Sequence, residues 1–162
     1  MANRYGKNIV DVMLSDAQTL PSGTAEDSEN MAYVGGPTGG KLRIAVYASS
    51  AIAIADAQAF NIELQTFSSD TAASAISPFS NANDGAQAAG GSGTSHDVAH
   101  MYLLHKTTAD DAIAFTAGDL MVDIGLPEPM MALLGHDYVQ LVYTTDANES
   151  SETVDAFIYE SG

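Results

Sequence analysis

The chain has 162 residues, a length that predicts one domain, and it carries 21 acidic against five basic residues, a formal net charge of −16. Such a charge repels nucleic-acid phosphates and anionic membranes, so we expect neither as a partner. Hydrophobic residues make up 46% of the chain, enough for a core, and the absence of cysteine excludes disulfides and thiol chemistry. We find no signal peptide at the start and no apolar run of about 18 residues, so we expect synthesis in a cytoplasm and no membrane span.

The first half of the chain predicts an arm followed by strands. Residues 1–8 form a polar, basic-leaning arm, and residues 9–162 form the single domain. A first short strand is expected over residues 9–14. Two further segments, 41–48 and 60–67, alternate apolar and polar residues, the pattern of a strand with one buried face. The side chains expected to share the buried faces of these two strands are Leu42, Ile44, Val46, Phe60, Ile62, Leu64 and Thr66.

Between and after these strands the pattern weakens. Residues 49–58 are rich in alanine, and we expect a loop with extended parts. Residues 68–94 are rich in small residues and glycine and predict a long surface excursion. Residues 97–105 predict another strand, with Tyr102 and Leu104 on one face and Met101 and Leu103 on the other.

The last third holds three alternating segments in a row, at 120–126, 138–144 and 154–159. Two prolines, Pro127 and Pro129, lie between the first two segments, where we expect a bend and no regular helix. The polar residues Asp123, Gln140 and Asp155 are expected on the solvent side or contact side of the sheet, and not as catalytic groups.

About eight strands without alternating helices predict an all-β fold, a jelly-roll β-sandwich of antiparallel strands. The alternative is an immunoglobulin-like sandwich, which would usually show shorter and more regular strand spacing.

No segment carries a convincing catalytic, metal or cofactor motif. His96 and His100 lie four apart, about 13 Å along a strand, too far for one metal ion. Adjacency in Ser95-His96-Asp97 is not the geometry of a triad. Residues 81–85 lack the acidic spacing of a calcium loop, and the glycines at 35–40 lack that of a phosphate loop. We therefore expect no enzyme activity and no cofactor.

The few basic residues are the candidate partner-binding groups. Arg4 and Lys7 flank Tyr5 in the arm, and Lys41 and Arg43 lie at the start of one strand, whereas Lys106 stands alone. On so acidic a chain, two basic pairs could mark a docking site on another protein. The alternative is that they are ordinary solvated charges.

Several short segments, in this order, carry a family resemblance. They are Ser15-Asp16-Ala17-Gln18, Leu64-Gln65-Thr66, Phe115-Thr116-Ala117-Gly118, Leu126-Pro127 and the strand at 138–143. Together they resemble the capsid cement (decoration) proteins of Bordetella-phage type in tailed bacteriophages, over residues 14–159.

The resemblance implies a jelly-roll protein on the capsid exterior of the virion. Such proteins assemble as homodimers or homotrimers and clamp neighbouring major capsid proteins without catalysis. We expect this role, with the arm and the loops at one end of the sandwich touching the shell. The rival expectation is a β-sandwich module that binds a ligand such as carbohydrate.

Overall fold

The computed structural model of the chain describes residues 12–34, 41–68, 98–146 and 151–161. Within these ranges it has eleven strands and one short helix. In chain order they are β1 (Val12–Thr19), β2 (Ala25–Asp27), β3 (Ala32–Tyr33), β4 (Leu42–Ala48), β5 (Ile52–Ile54), β6 (Phe60–Phe67), β7 (Val98–Lys106), β8 (Ile113–Phe115), β9 (Leu120–Gly125), α1 (Glu128–Leu134), β10 (Tyr138–Thr145) and β11 (Thr153–Glu160).

Two antiparallel sheets form the fold. Sheet 1 has the order β1-β11-β4-β9, and sheet 2 has the order β2-β10-β6-β7, with β3 also paired to β10. Strands β5 and β8 make a separate pair. The prediction of an all-β fold with antiparallel sheets is confirmed. Successive strands along the chain cross repeatedly between sheet 1 and sheet 2, an order consistent with a β-sandwich, and the jelly-roll topology stays a prediction.

The core lies between the two sheets, because the alternating apolar rows of both sheets belong to one buried cluster. The predicted inward rows of 41–48 and 60–67 are buried, as are the corresponding rows of β10 and β11. Burying such side chains stabilises the fold by about 1.5–3 kcal/mol for each large one. The inward residues of the last two strands are Val139, Leu141, Tyr143, Val154, Ala156 and Ile158, each completely buried.

The first strand differs from its prediction. It spans Val12–Thr19, so Ser15 and Gln18 lie inside it, while residues 9–11 are outside the described ranges. Its pairing with β11 shifts register twice, between Met13 and Ser15 and between Ser15 and Gln18. These bulges turn both polar side chains inward, since each extra residue reverses which side of the strand faces the core.

The expected absence of a helix around the two prolines is wrong. Helix α1 begins directly after Pro127 and holds Pro129 in its first turn, where the backbone N–H groups have no partner inside a helix. The helix ends at Gly135, which adopts a left-handed φ of +69°. That conformation turns the chain so that the N–H of His136 reaches the carbonyl of Met131 at 2.8 Å, while the N–H of Gly135 bonds to the carbonyl of Ala132.

The predicted faces of 97–105 are also wrong. Leu104 pairs with Ile62, and Met101 pairs with Leu64, so both lie on the inward face of the sheet, opposite buried residues of β6. Between these pairs the register shifts, and one extra residue separates Tyr102 from Leu104. Tyr102 is 48% exposed as a result.

The loop prediction for 49–58 agrees with a short extended part, β5, whose two isoleucines are buried. The arm at 1–8, the glycine cluster at 35–40, the excursion after residue 68 and the histidine at 96 lie outside the described residues.

Candidate functional site

The outer face of sheet 1 carries aromatic side chains where a solvated sheet normally carries polar ones. Tyr47 on β4 and Phe157 and Tyr159 on β11 all alternate with buried residues and therefore point outward. The rings of Tyr47 and Phe157 are nearly parallel, 5.8 Å apart at an angle of 10°. The rings of Phe157 and Tyr159 are 6.0 Å apart at 58°. Such pairs add about 0.5–1.5 kcal/mol to the burial of their surfaces.

Two more apolar residues extend this row to both edges of the sheet. Met13 pairs with Phe157 and is 41% exposed. Leu120 pairs with Tyr47 and is 48% exposed. Cross-strand partners share a face, so the row crosses all four strands. We call Met13, Tyr47, Leu120, Phe157 and Tyr159 the aromatic face.

A polar cluster borders the aromatic face. The Nε of Arg43 donates to Oδ1 of Asp123 at 2.8 Å and to the hydroxyl of Tyr159 at 3.1 Å. The hydroxyl of Tyr159 in turn donates to the same Asp123 oxygen at 2.8 Å. The Nη2 of Arg43 also donates to the backbone carbonyl of Asp123 at 3.0 Å. Cross-strand pairing positions the cluster, since Arg43 is opposite Tyr159 on β11.

Hydrogen bonding within this cluster shifts its three pKa values. The bond from Arg43, followed by that from Tyr159, lowers the pKa of the Asp123 carboxyl. The bond to Asp123 raises the pKa of Arg43 and is also the main reason why the pKa of Tyr159 is raised. Both side chains of the ion pair are about one-third exposed, at 34% and 33%. A pair this exposed to solvent contributes little to the stability of the fold, so Arg43 can exchange Asp123 for a partner at little cost.

The predicted partner-binding residues are divided by the structure. Arg43 lies on the outer face of sheet 1, and Lys41 is exposed one residue before the same strand begins. The backbone carbonyl of Lys41 accepts a bond from the N–H of Ser161, which ties the strand start to the chain end of β11. Arg4, Tyr5 and Lys7 lie outside the described residues.

The three polar residues expected on the outside do not converge. Asp123 and Asp155 lie on the outer face of sheet 1, and Gln140 lies on β10 in sheet 2. Asp155 accepts a bond of 2.6 Å from the N–H of Ala17 at the bulge of β1. Gln140 is 9% exposed, and its amide donates to the carbonyl of Ser28. Both contacts join neighbouring strands and stabilise the fold.

A buried polar network connects β1 to β10. The hydroxyls of Ser15 and Tyr143 lie 2.9 Å apart, and Ser15 donates to the side-chain oxygen of Gln18 at 2.6 Å. The amide of Gln18 donates to the carbonyl of Asp27 on β2. Burial is the main cause that raises the pKa of Tyr143. Sequence reasoning missed this network, because the predicted first strand ended at residue 14 and left Ser15 and Gln18 outside it.

Lys106 is the second feature that the sequence did not reveal. Its side chain is 3% exposed, and its Nζ lies within hydrogen-bonding distance of four backbone carbonyls. The shortest of these bonds, 2.6 Å, reaches Gln58. The ammonium therefore ties the end of β7 to the loop before β6. This role was hidden because those carbonyls come from two segments about 50 residues apart.

The described residues offer little for a small ligand or an ion. A water-sized depression lies beside α1, with Leu126, Met131 and His136 in its lining. Nδ1 of His136 lies 2.8 Å from the hydroxyl of Thr66, so one ring nitrogen is already engaged. Among the residues that the structure describes, no group of three acidic or histidine side chains is placed to hold a metal ion.

Neither a protein-family model nor a curated protein matches this chain. In the part of the chain that the structure describes, no helix has the length and apolar character needed to cross a membrane.

Proposed function

We propose that this chain is a structural virion protein, a cement protein that binds the outer surface of an icosahedral phage head and stabilises contacts between major capsid proteins. The observation that carries the proposal furthest is the aromatic face. A partly exposed row of apolar and aromatic side chains across a whole sheet is suited to contact with another protein. The ordered segments that resemble cement proteins give the class of that partner.

The physical demands of this role agree with the chain. A cement protein needs no cofactor, and weak contacts become strong when many copies repeat them over one shell. A net charge of −16 would keep the exposed surfaces of neighbouring virions apart. The chain would be made in the host cytoplasm and would act on the capsid exterior, with the major capsid protein and further copies of itself as partners.

The first of the segments that resemble cement proteins, Ser15 to Gln18, contributes to the core of this chain. Ser15 and Gln18 meet Tyr143 in the buried network between β1 and β10. They therefore support a shared fold, while contact with the shell is assigned to other residues. We assign it to the aromatic face, with Arg43 and Lys41 at its basic end, and to the basic arm with Arg4 and Lys7.

Removal of residues 1–8 tests the assignment of the arm. Empty heads of the same phage would be incubated with the truncated chain and with the full chain, and occupancy would be measured on the purified heads. We expect a large loss of occupancy without the arm, whereas a full-length variant with both basic residues changed, Arg4→Ala and Lys7→Ala, should show an intermediate loss. Unchanged occupancy would remove the arm from the interface, and failure of the full chain to bind heads would refute the proposed function.

A second candidate function is a carbohydrate-binding module. The aromatic face favours it, because rings beside the polar groups of Arg43 and Asp123 could contact a sugar. A glycan array probed with the full chain separates the two functions. Glycan binding that is lost in Tyr47→Ala, together with no binding to heads, would replace the cement function.

A further inference from the structure

The buried side chain of Lys106 reaches from a strand into two loops. Lys106 is the last residue of β7 and pairs with Phe60, the first residue of β6. Cross-strand partners share a face, so the aliphatic stem of Lys106 runs beside a completely buried ring. Residues 55–59 connect β5 to β6, and residues 107–112 connect β7 to β8. The ammonium lies between these two loops, because it bonds to carbonyls of both.

Four backbone carbonyl oxygens converge on the Nζ of Lys106. Each loop contributes two of them, at 2.6 Å from Gln58, 3.4 Å from Asp56, 3.2 Å from Asp110 and 3.3 Å from Thr107. Carbonyl oxygens grouped around one point replace the water shell of a cation, as they do in the filters of potassium channels. Three of the four distances exceed the range of calcium–oxygen bonds, about 2.3–2.6 Å, and all exceed that of magnesium, about 2.0–2.1 Å. The spacing therefore suits a monovalent cation that donates hydrogen bonds.

The surrounding charges also favour a cation at this point. The two loops carry three exposed carboxylates, those of Asp56, Asp110 and Asp111, and no basic residue. The carboxylate of Asp110 accepts hydrogen bonds from the N–H and the hydroxyl of Thr107 at 2.7 and 3.0 Å. Its charge therefore acts on the ammonium through space, while the carbonyl of the same residue makes the direct contact.

Both loops lead into the pair of strands β5 and β8, which we call the flap. Ile54 pairs with Ile113, so the two loops leave the flap side by side. Ile52 and Ile54 are each 1% exposed and belong to the core cluster, and Phe115 packs against it. Because β5 lies between the end of β4 and the start of β6, the flap covers that end of the core. Among the residues that the structure describes, no other hydrogen bond joins residues 55–59 to residues 107–112, so the ammonium is their link.

We propose that the four carbonyls form a binding site for a primary ammonium ion, which the chain fills with its own Lys106 and which thereby locks the flap over the core. Such a site should accept a free ammonium ion once the tethered one is removed. Lys106→Ala deletes the side chain from Cγ to Nζ, and n-propylammonium supplies those same atoms. The alkyl chain of that ion can lie beside Phe60, and its N–H groups can donate to the carbonyls. The site lies at the opposite end of β4 from Arg43, so its occupancy does not depend on the contact proposed for the capsid.

Hydrogen exchange of the full-length chain, followed by mass spectrometry of its peptides, tests the site. In Lys106→Ala, amides of the flap and of its two loops should exchange at least about tenfold faster, whereas the paired strands β6 and β10 should keep their rates. n-Propylammonium chloride should return most of the lost protection and should saturate, because it binds only the closed form. Tetramethylammonium chloride, which has the charge but no N–H donor, and 1-propanol, which has the chain but no charge, should return none.

Lys106→Met is the matched variant, because methionine removes the ammonium but fills the space of the lysine stem. Its flap should exchange faster than that of wild type, and n-propylammonium should not restore it. In the wild-type chain the site is already filled, so n-propylammonium and tetramethylammonium should affect exchange of the flap equally.

Three results would overturn the proposal. Unchanged exchange of the flap in Lys106→Ala would refute the lock. Equal restoration by tetramethylammonium, or equal restoration of Lys106→Met by n-propylammonium, would reduce the effect to one of salt and refute the site. If Lys106→Ala does not fold by itself, refolding from urea followed by circular dichroism replaces exchange as the measurement. n-Propylammonium, and not tetramethylammonium, should then recover the folded chain, and recovery with neither would refute the site.

Discussion

Replacing Lys106 with methionine removes a buried charge together with its hydrogen bonds. The ammonium lies 2.6 Å from the carbonyl oxygen of Gln58, 3.2 Å from that of Asp110, 3.3 Å from that of Thr107 and 3.4 Å from that of Asp56. An ammonium has three protons, so the four acceptors share three donors. Methionine has a similar length and shape but can donate to none of them.

The expected loss follows from these distances. A hydrogen bond to a charged group contributes about 1.5–3 kcal/mol, and only the bond to Gln58 is short enough to count in full. The three longer contacts add less each, and methionine recovers the cost of keeping an ammonium out of water. We therefore expect Lys106→Met to lower the free energy of unfolding by about 2–4 kcal/mol, because the carbonyls that faced the ammonium lose their donor.

Urea unfolding followed by circular dichroism measures this loss. Lys41→Met is the matched control, since Lys41 is exposed and the same substitution there should change stability by less than about 0.5 kcal/mol. A loss below about 1 kcal/mol for Lys106→Met, with the slope of unfolding against urea unchanged, would show that the carbonyls are satisfied in another way and would refute the reasoning.

Three further predictions concern single residues. Tyr143→Phe should cost about 1 kcal/mol through the lost bond to Ser15. Because burial raises the pKa of Tyr143, its neutral phenol stabilises the fold fully below about pH 10, and this stability declines as the pH rises further; urea midpoints at alkaline pH should fall less steeply in Tyr143→Phe than in wild type. Gly135→Ala should lower the free energy of unfolding by about 1 kcal/mol through the φ of +69° alone, because nothing lies within 4 Å of the new methyl group. Gly125 has no positive φ, so an equal loss in Gly125→Ala would contradict this explanation. Hydrogen bonds from the backbone and the hydroxyl of Thr116 lower the pKa of Asp119, so the ionised carboxylate stabilises the fold above about pH 4, and this stability is lost as the pH falls through the pKa of the folded protein. In acid, the urea midpoint of Asp119→Asn should therefore depend less on pH than that of wild type. Parallel curves for the two proteins would contradict this prediction.

Alternation along the chain predicted the core well. Ile44, Ile62 and Ile158 were expected on buried faces and are completely buried. This succeeds because the side chains of a strand point alternately to its two faces, so a local pattern shows which residues face the core. The same pattern placed Tyr47 and Phe157 outward, although it did not indicate that their rings would stack.

Local patterns failed where one extra residue enters a strand. The bulge beside Tyr102 reversed the faces predicted for β7, and the bulges of β1 turned Ser15 and Gln18 inward. A bulge depends on the partner strand, which a single segment does not reveal. The prediction of no helix at Pro127 and Pro129 failed for a different reason. Prolines disrupt the interior of a helix but are tolerated in its first turn.

The candidate site required the pairing of distant segments. The aromatic face appears only because β4, which holds Tyr47, pairs with β11, which holds Phe157, more than a hundred residues later. The carbonyls around Lys106 likewise come from two separate segments. Composition and periodicity therefore determine the fold class, the acidic surface and the buried rows of this protein. The order of the strands decides which outward side chains become neighbours, because contacts across a sheet depend on register and not on distance along the chain.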